Sequence, residues 1–265
     1  MPSQELEIAI TIARQAGTLL RDQFRKTTDI RLKEDGSQVS DADILSHDFI
    51  IGKLSAAFPH CVILSEESPN ALQTLISEKP TWIIDPLDAT SNFLCGIPLF
   101  AVSIAFVENK KTVLGVIYDP VHDELFAAQK GAGATLNGHP IHVSQKALSR
   151  AAMLFAGRGH KEKDRGRHAD MIAVLERQTT YFRRIGCATL MLAYVAAGRA
   201  DGVILTGNDP WDLMAGTLLI EEAGGQTSDY RGQVWAPTSE DLVATNGVIH
   251  QKISEITRVL QSGLV

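Results

Sequence analysis

Trp82-Ile83-Ile84-Asp85-Pro86-Leu87-Asp88-Ala89-Thr90-Ser91-Asn92-Phe93 is the stretch on which the reading of this chain turns. Three apolar residues, Trp82 to Ile84, read as the end of a buried strand. Proline fixes its own φ and has no N–H, so the spacing predicts a tight turn at Pro86. That turn would hold Asp85 and Asp88 three positions apart, with the Leu87 carbonyl between them. Two carboxylates and a carbonyl form a hard, oxygen-only cation site of the kind magnesium prefers. The N–H groups of Ala89, Thr90 and Ser91 come next and can face an anion. Taken alone, Asp85-Pro86-Leu87-Asp88 is more simply a surface turn whose aspartates cap backbone donors. Other acidic residues in matching contexts favour the cation site.

Ser40 reads as a helix N-cap with Asp41 and Asp43 in the first turn. Ile44, Ile51, Leu54 and Phe58 form the expected core stripe of that helix, and Pro59 ends it. Compensation of the helix dipole accounts for the two acids, but they also suit a cation site if the helix start faces Asp85. Cys61 to Leu64 is a short strand that exits into Ser65-Glu66-Glu67-Ser68. Strand exits are where open α/β sheets build sites, although a solvated acidic loop is the plainer alternative. Asn208-Asp209-Pro210-Trp211-Asp212 is a second strand-end turn leading into a helix, with Asp212 near its start. Leu213, Gly216, Leu219 and Ile220 have helical spacing, and Gly224-Gly225 stop the helix.

The remainder fits around these segments. Residues 4–25 predict an amphipathic helix, 33–38 a loop or hairpin tip, and 70–80 a short helix and a loop. Leu99 to Val107, Thr112 to Tyr118 and Glu124 to Gln129 predict an antiparallel meander. Gly131 to Ala134 opens no helix and lacks a Lys-Ser/Thr ending, so it reads as a loop. Near residue 148 the pattern changes to alternating strands and helices, which sets the expected domain boundary: 1–148 and 149–265. Residues 157–167 read as a charged, solvated loop that could also meet an anionic substrate. Strands are expected at 152–156, 181–185, 201–205 and 241–245, with helices at 171–175, 187–197 and 248–260.

A net charge of −6, from 25 basic and 31 acidic residues, argues against general nucleic-acid binding and suits a collector of cations. No apolar run approaches the roughly 20 residues that span a bilayer. The first residues lack the basic start and apolar core of a signal peptide. Cys61, Cys95 and Cys187 are odd in number and far apart, which fits a reducing cytoplasm.

Taken together, the chain resembles the inositol monophosphatase family of magnesium-dependent, lithium-sensitive phosphatases. Trp82 to Phe93 looks like the family's first signature and Trp211 to Gly225 like its second. Val39 to Asp43 and Ser65 to Ser68 match in order and spacing. The resemblance implies a layered αβαβα sandwich of two tightly packed subdomains, an α+β fold of the sugar-phosphatase type, and a homodimer. It implies two to three magnesium ions: one on Glu66, Asp85 and the Leu87 carbonyl; one on Asp85, Asp88 and Asp212; and one held through Glu66 and waters. It pairs Thr90 with Asp43 to activate water, and it places the Ala89 and Thr90 N–H groups on the phosphate. Lys33, Gly186 and Ala188 are implied as further phosphate or substrate contacts.

Two departures bear on function. Ala89 stands where the family usually has glycine, and a positive φ there would cost alanine about 1 kcal/mol. Inositol-specific members carry an acid before the Trp-Asp motif; Leu205 occupies the matching position and Asp209 is offset from it. The expected substrate is inositol 1-phosphate or a related small polyol or sugar phosphate. The same chemistry on fructose 1,6-bisphosphate, histidinol phosphate or a 3′-phosphoadenosine nucleotide is the alternative. A non-catalytic phosphate- or metal-binding partner protein is a third reading.

Overall fold

A computed structural model describes residues 2–26, 30–32, 38–68 and 79–261. Lys33 and the predicted helix within 70–80 lie outside the described residues, as does most of the expected 33–38 tip.

The chain begins with α1 (Gln4–Gln23), capped by the Ser3 hydroxyl on the Leu6 N–H. A two-stranded ribbon, β1 (Ile30–Leu32) and β2 (Gln38–Ser40), leads into α2 (Asp41–Ala57). Then come β3 (Val62–Ser65), β4 (Thr81–Asp88) and the short α3 (Thr90–Leu94). The meander comprises β5 (Ala101–Glu108), β6 (Lys111–Asp119), β7 (Glu124–Gln129), β8 (Gly133–Leu136) and β9 (His139–Ile141). With β3 and β4 it makes a seven-stranded sheet in sequential order, in which only β3 and β4 run parallel.

The second half contributes β10 (Met153–Arg158), α4 (Asp164–Leu175), β11 (Tyr181–Arg183), α5 (Ala188–Ala196) and β12 (Gly202–Thr206). It closes with α6 (Pro210–Glu222), β13 (Gln226–Ser228), β14 (Leu242–Thr245) and α7 (His250–Gln261). Its five-stranded sheet has the order β11-β10-β12-β14-β13, with β10 parallel to both neighbours.

Alternation along the strands builds the layers. Trp82 and Ile84 of β4 turn toward α1 and α2, while Ile83 turns toward α5 and α6. Phe155, Val203 and Leu205 of the second sheet face α5 and α6 from the other side. Leu154, Ile204 and Val243 face α4 and α7. The result is helices, sheet, helices, sheet, helices: the αβαβα sandwich. Its middle layer is tight. A Cβ on Gly115 would stand 2.7 Å from the Ala215 carbonyl, and one on Gly216 would stand 2.5 Å from Leu192. Glycine is therefore what lets α6 seat between β6 and α5.

Several expectations need correction. Pro86 does not end the strand in a tight turn. β4 continues through Asp88, and the register to β5 shifts between Asp85 and Asp88, a β-bulge. A bulge is one of the few places a sheet accepts proline, because the extra residue needs no ladder hydrogen bond. Of the expected α2 stripe Leu54 is buried and Ile51 and Phe58 are partly buried against the core, but Ile44 is not part of it; the fully buried positions are Ala42, Asp43, Ser46, Ile50 and Leu54. Ser46 turns inward because its hydroxyl donates to the Pro86 carbonyl at 2.8 Å. The charged loop is partly helix, since α4 begins at Asp164, and β11 ends at Arg183 rather than residue 185. Strands β8, β9 and β13 were not expected, and β8 takes in Gly133 and Ala134 of the segment read as a loop.

Candidate active site

The bulge in β4 is the centre of the site. All eight residues of β4 are buried. The Asp85 carboxylate takes the Leu87 N–H on Oδ1 at 3.0 Å, which folds the bulge over Pro86. β3 lies alongside in parallel, so its exit residue meets the same strand end: the Glu66 N–H donates to the Ile84 carbonyl at 3.1 Å. His47 Nδ1 lies 2.8 Å from Ser65 Oγ and braces that exit from α2.

After Asp88 the chain reverses at Ala89, with φ 73° and ψ 49°, and enters α3 at Thr90. The Thr90 hydroxyl is 2.7 Å from Asp43 Oδ1 and 3.3 Å from the Leu87 carbonyl. Asp43 is locked in turn by a capping box: its Oδ2 accepts the Ser40 N–H at 2.7 Å and the Ser40 hydroxyl at 2.6 Å. The start of α2 thus does face the Asp85 strand end. Asn92 of α3 donates to the Leu99 carbonyl at 2.7 Å and the Ile185 carbonyl at 2.9 Å. That clamp fixes the segment before Gly186 and Ala188.

The second half of the chain supplies two further contributions. Asp88 Oδ2 accepts the Thr189 N–H at 2.7 Å, the Thr189 hydroxyl at 2.6 Å and the Cys187 thiol at 3.1 Å. Asp212, in the first turn of α6, takes the Asn208 side-chain amide at 3.1 Å and the Asp209 N–H at 3.2 Å, both on Oδ2. Asp85, Asp88 and Asp212 therefore each have one oxygen tied to protein donors. The other oxygen of each has no donor among the described residues.

These carboxylates sense one another. Burial pushes the Asp85 carboxyl well above its usual range, and the charges of Glu66, Asp88 and Asp212 push the same way. Asp212 is raised well by burial, then by Asp88, Glu66 and Asp209. Asp88 is raised by burial against the opposing pull of the Thr189 and Cys187 hydrogen bonds. Burial also raises Asp43, which Ser40 and Thr90 partly offset. Among the described residues no lysine or arginine forms an ion pair with Asp85, Asp88 or Asp212.

As the side chains stand, no three acidic, histidine or cysteine groups among the described residues form a finished metal cage. The donor set nevertheless suits a hard divalent cation: buried carboxylates with one open oxygen each and, among the described residues, no lysine or arginine paired with them. Buried charges of one sign need a counter-charge.

Several residues were not legible as site residues: Ser46, His47, Asn92, Cys187, Thr189 and Asn208. All but Asn208, whose partner Asp212 lies four positions on, act through a contact with a distant segment, which no local motif announces. Leu205 is fully buried in the core between the second sheet and α5 and α6, so it contacts no substrate hydroxyl. Asp209 is the N-cap of α6. The basic residues after β10 are largely spent on neighbours. Lys161 lies 3.6 Å from Asp209 and 3.5 Å from Glu240, Lys163 pairs with Glu240, and Arg167 pairs with Asp164 and Asp241.

The chain matches the model of the inositol monophosphatase family over residues 1–262. It is 40% identical over 253 residues to an inositol-1-monophosphatase of Mesorhizobium japonicum, covering 94% of both chains. It is 38% identical to the Nus factor SuhB of Escherichia coli strain K12, covering 91% of both. Among solved structures, the extragenic suppressor protein suhB of Bartonella henselae superposes with a TM-score of 0.90 at 35% identity, over 97% of this chain and 99% of that one. Fold, buried acidic centre and similarity along almost the whole chain agree: this protein belongs to the inositol monophosphatase family and is a phosphatase.

Proposed function

We propose that the protein hydrolyses a small phosphate monoester, inositol 1-phosphate or a related polyol or sugar phosphate, with two to three magnesium ions. The observation that carries this reading is the set of buried carboxylates Asp85, Asp88 and Asp212, all raised by burial, Asp85 and Asp212 further by neighbouring acids, and unpaired with lysine or arginine among the described residues. Glu66, Asp85 and the Leu87 carbonyl would hold one ion, and Asp85, Asp88 and Asp212 another, with Glu66 serving a third through waters. When bound, such ions neutralise a dianionic phosphate ester and make water a better nucleophile.

The chain's own groups do the positioning. Asp43 accepts a proton passed through the Thr90 hydroxyl, a relay whose hydrogen bond is already formed at 2.7 Å. The N–H groups of Ala89 and Thr90 would hold phosphate oxygens, and Gly186 and Ala188 would border the substrate. In-line attack then needs little beyond alignment and charge neutralisation. In this reading residues 1–148 carry most of the ligands, while 149–265 supply Asp212 and the substrate-side wall. The protein would work as a homodimer in the cytoplasm.

The relative named inositol-1-monophosphatase supports the polyol substrate. The relatives named Nus factor SuhB favour, as a second reading, a role exercised through a partner. Phosphate release tests both. Inositol 1-phosphate, fructose 1,6-bisphosphate, histidinol phosphate and a 3′-phosphoadenosine nucleotide should be compared with magnesium and with EDTA. Turnover of the first that EDTA abolishes is expected. A strong preference for the nucleotide would reject the polyol assignment, and no magnesium-dependent turnover of any would reject the enzyme reading.

A further inference from the structure

The Asp212 carboxylate is held on one oxygen by two donors, the Asp209 N–H of the capping box and the Asn208 side-chain amide, and the second is unusual. Only the nitrogen of the Asn208 carboxamide can donate to a carboxylate, so the bond to Asp212 Oδ2 fixes which way the amide faces. Its oxygen is thereby turned elsewhere, where it is buried without a hydrogen-bond partner among the described residues, in a residue only 7% exposed. Buried orphaned acceptors are destabilising, and few are found in folded proteins.

The backbone does not need this side chain. The Asn208 N–H donates to the Glu240 carbonyl at 3.0 Å, and the preceding Gly207 N–H donates to Asp241 Oδ1 at 3.0 Å. Those bonds, with the Asp209 cap and Pro210 in the first turn, fix the entry to α6. A leucine at 208 would keep the branched shape, at a larger volume, and carry no orphaned oxygen.

We propose that Asn208 is a positioning residue: its side-chain amide holds Asp212 in the orientation that leaves Asp212 Oδ1 for a divalent cation. The inference rests on reading Asp212 as a cation ligand. Its mark is a split between stability and affinity, since the amide serves the site at the expense of the fold.

The test is calorimetric titration of the full chain with Mn2+ alone, alongside thermal unfolding in EDTA. Asn208→Leu should bind Mn2+ about tenfold more weakly, the scale expected when a ligand's supporting hydrogen bond is lost. Its unfolding midpoint in EDTA should equal or exceed that of the parent. Unchanged affinity, with or without a lower midpoint, would make Asn208 a packing residue and overturn the proposal. Should Asn208→Leu not fold, Asn208→Ser carries the same expectation, because its hydroxyl is too short to reach Asp212. Asp212→Asn separates the two ideas. If it binds Mn2+ like the parent, the reading of the site fails; if it loses binding while both Asn208 variants keep it, only the role of Asn208 fails.

Discussion

Thr189 gives both its backbone N–H, at 2.7 Å, and its hydroxyl, at 2.6 Å, to a single oxygen of Asp88, 101 positions away. The start of α5 is therefore part of the site built on β4, and the two halves of the chain share one carboxylate. Thr189→Val keeps the N–H and the shape while removing the hydroxyl. An under-satisfied charged acceptor costs about 1–3 kcal/mol. The expected result is an intact fold whose magnesium activation curve moves roughly tenfold to higher concentration. Thr189→Ser should restore most of it. Phosphate release measured against magnesium concentration checks this, and a parent-like curve for the valine variant would sink it.

Ala89 adopts the left-handed conformation, with φ 73°. Alanine pays about 1–2 kcal/mol there, and glycine does not. Glycine gives back about 0.4–1 kcal/mol by loosening the unfolded chain. Ala89→Gly should thus gain about 0.5 kcal/mol, read as a higher urea midpoint with an unchanged slope. The same change removes a methyl beside the expected phosphate position, so turnover or phosphate affinity should change with it. If neither moved, the alanine would be functionally silent.

What the sequence made legible divides by range. Asp85, Asp88 and Asp212 stood out because each sits in a short segment with its own turn or cap chemistry, and the αβαβα layering followed from the family signatures. Pro86 misled, since a proline beside an aspartate reads locally as a turn; the strand pairing that turns it into a bulge comes from β5, more than a dozen residues on. Thr189 and Asn92 were invisible for a related reason. Their side chains bond to groups that only the packing of two sheets around α5 and α6 brings within reach. Ser46 shows the same effect in miniature. A serine on a helix reads as polar surface until its hydroxyl meets the Pro86 carbonyl.

Two buried histidines make stability depend on pH. His250 lies between the Thr245 and Ser228 hydroxyls, each at 3.1 Å, and burial pushes its pKa down to about 4 from 6.5. His168 is likewise held at about 4, by burial and then by the charges of Arg184 and Arg158. Between pH 6.5 and about 4 the unfolded chain takes up protons that the folded chain refuses. Stability from these groups is full above that window and declines as pH falls through it. Replacing one of them should flatten the dependence by about one proton, at most about 1.4 kcal/mol per pH unit. Urea unfolding of His250→Gln from pH 7 to 4 tests it, and a slope equal to the parent's would contradict it.

Asp85 poses the sharpest conflict between fold and site. It is 1% exposed, and burial together with Glu66, Asp88 and Asp212 raises its carboxyl well above the usual range. A carboxyl raised in the folded state favours folding below its unfolded value and loses that contribution as pH rises through the folded one. At neutral pH without a cation the site therefore works against the fold. Asp85→Asn removes that charge and can keep the Leu87 N–H on its amide oxygen. In EDTA at neutral pH it should be more stable than the parent by an amount on the order of 1 kcal/mol or more. With magnesium the order should reverse. The parent should gain a large rise in unfolding midpoint, because a ligand that binds only the folded state stabilises it. The variant should gain almost none and should release no phosphate. An Asp85→Asn protein that melts below the parent in EDTA, or that responds to magnesium as the parent does, would mean that Asp85 is a structural acid and not the ligand around which β4 is bulged.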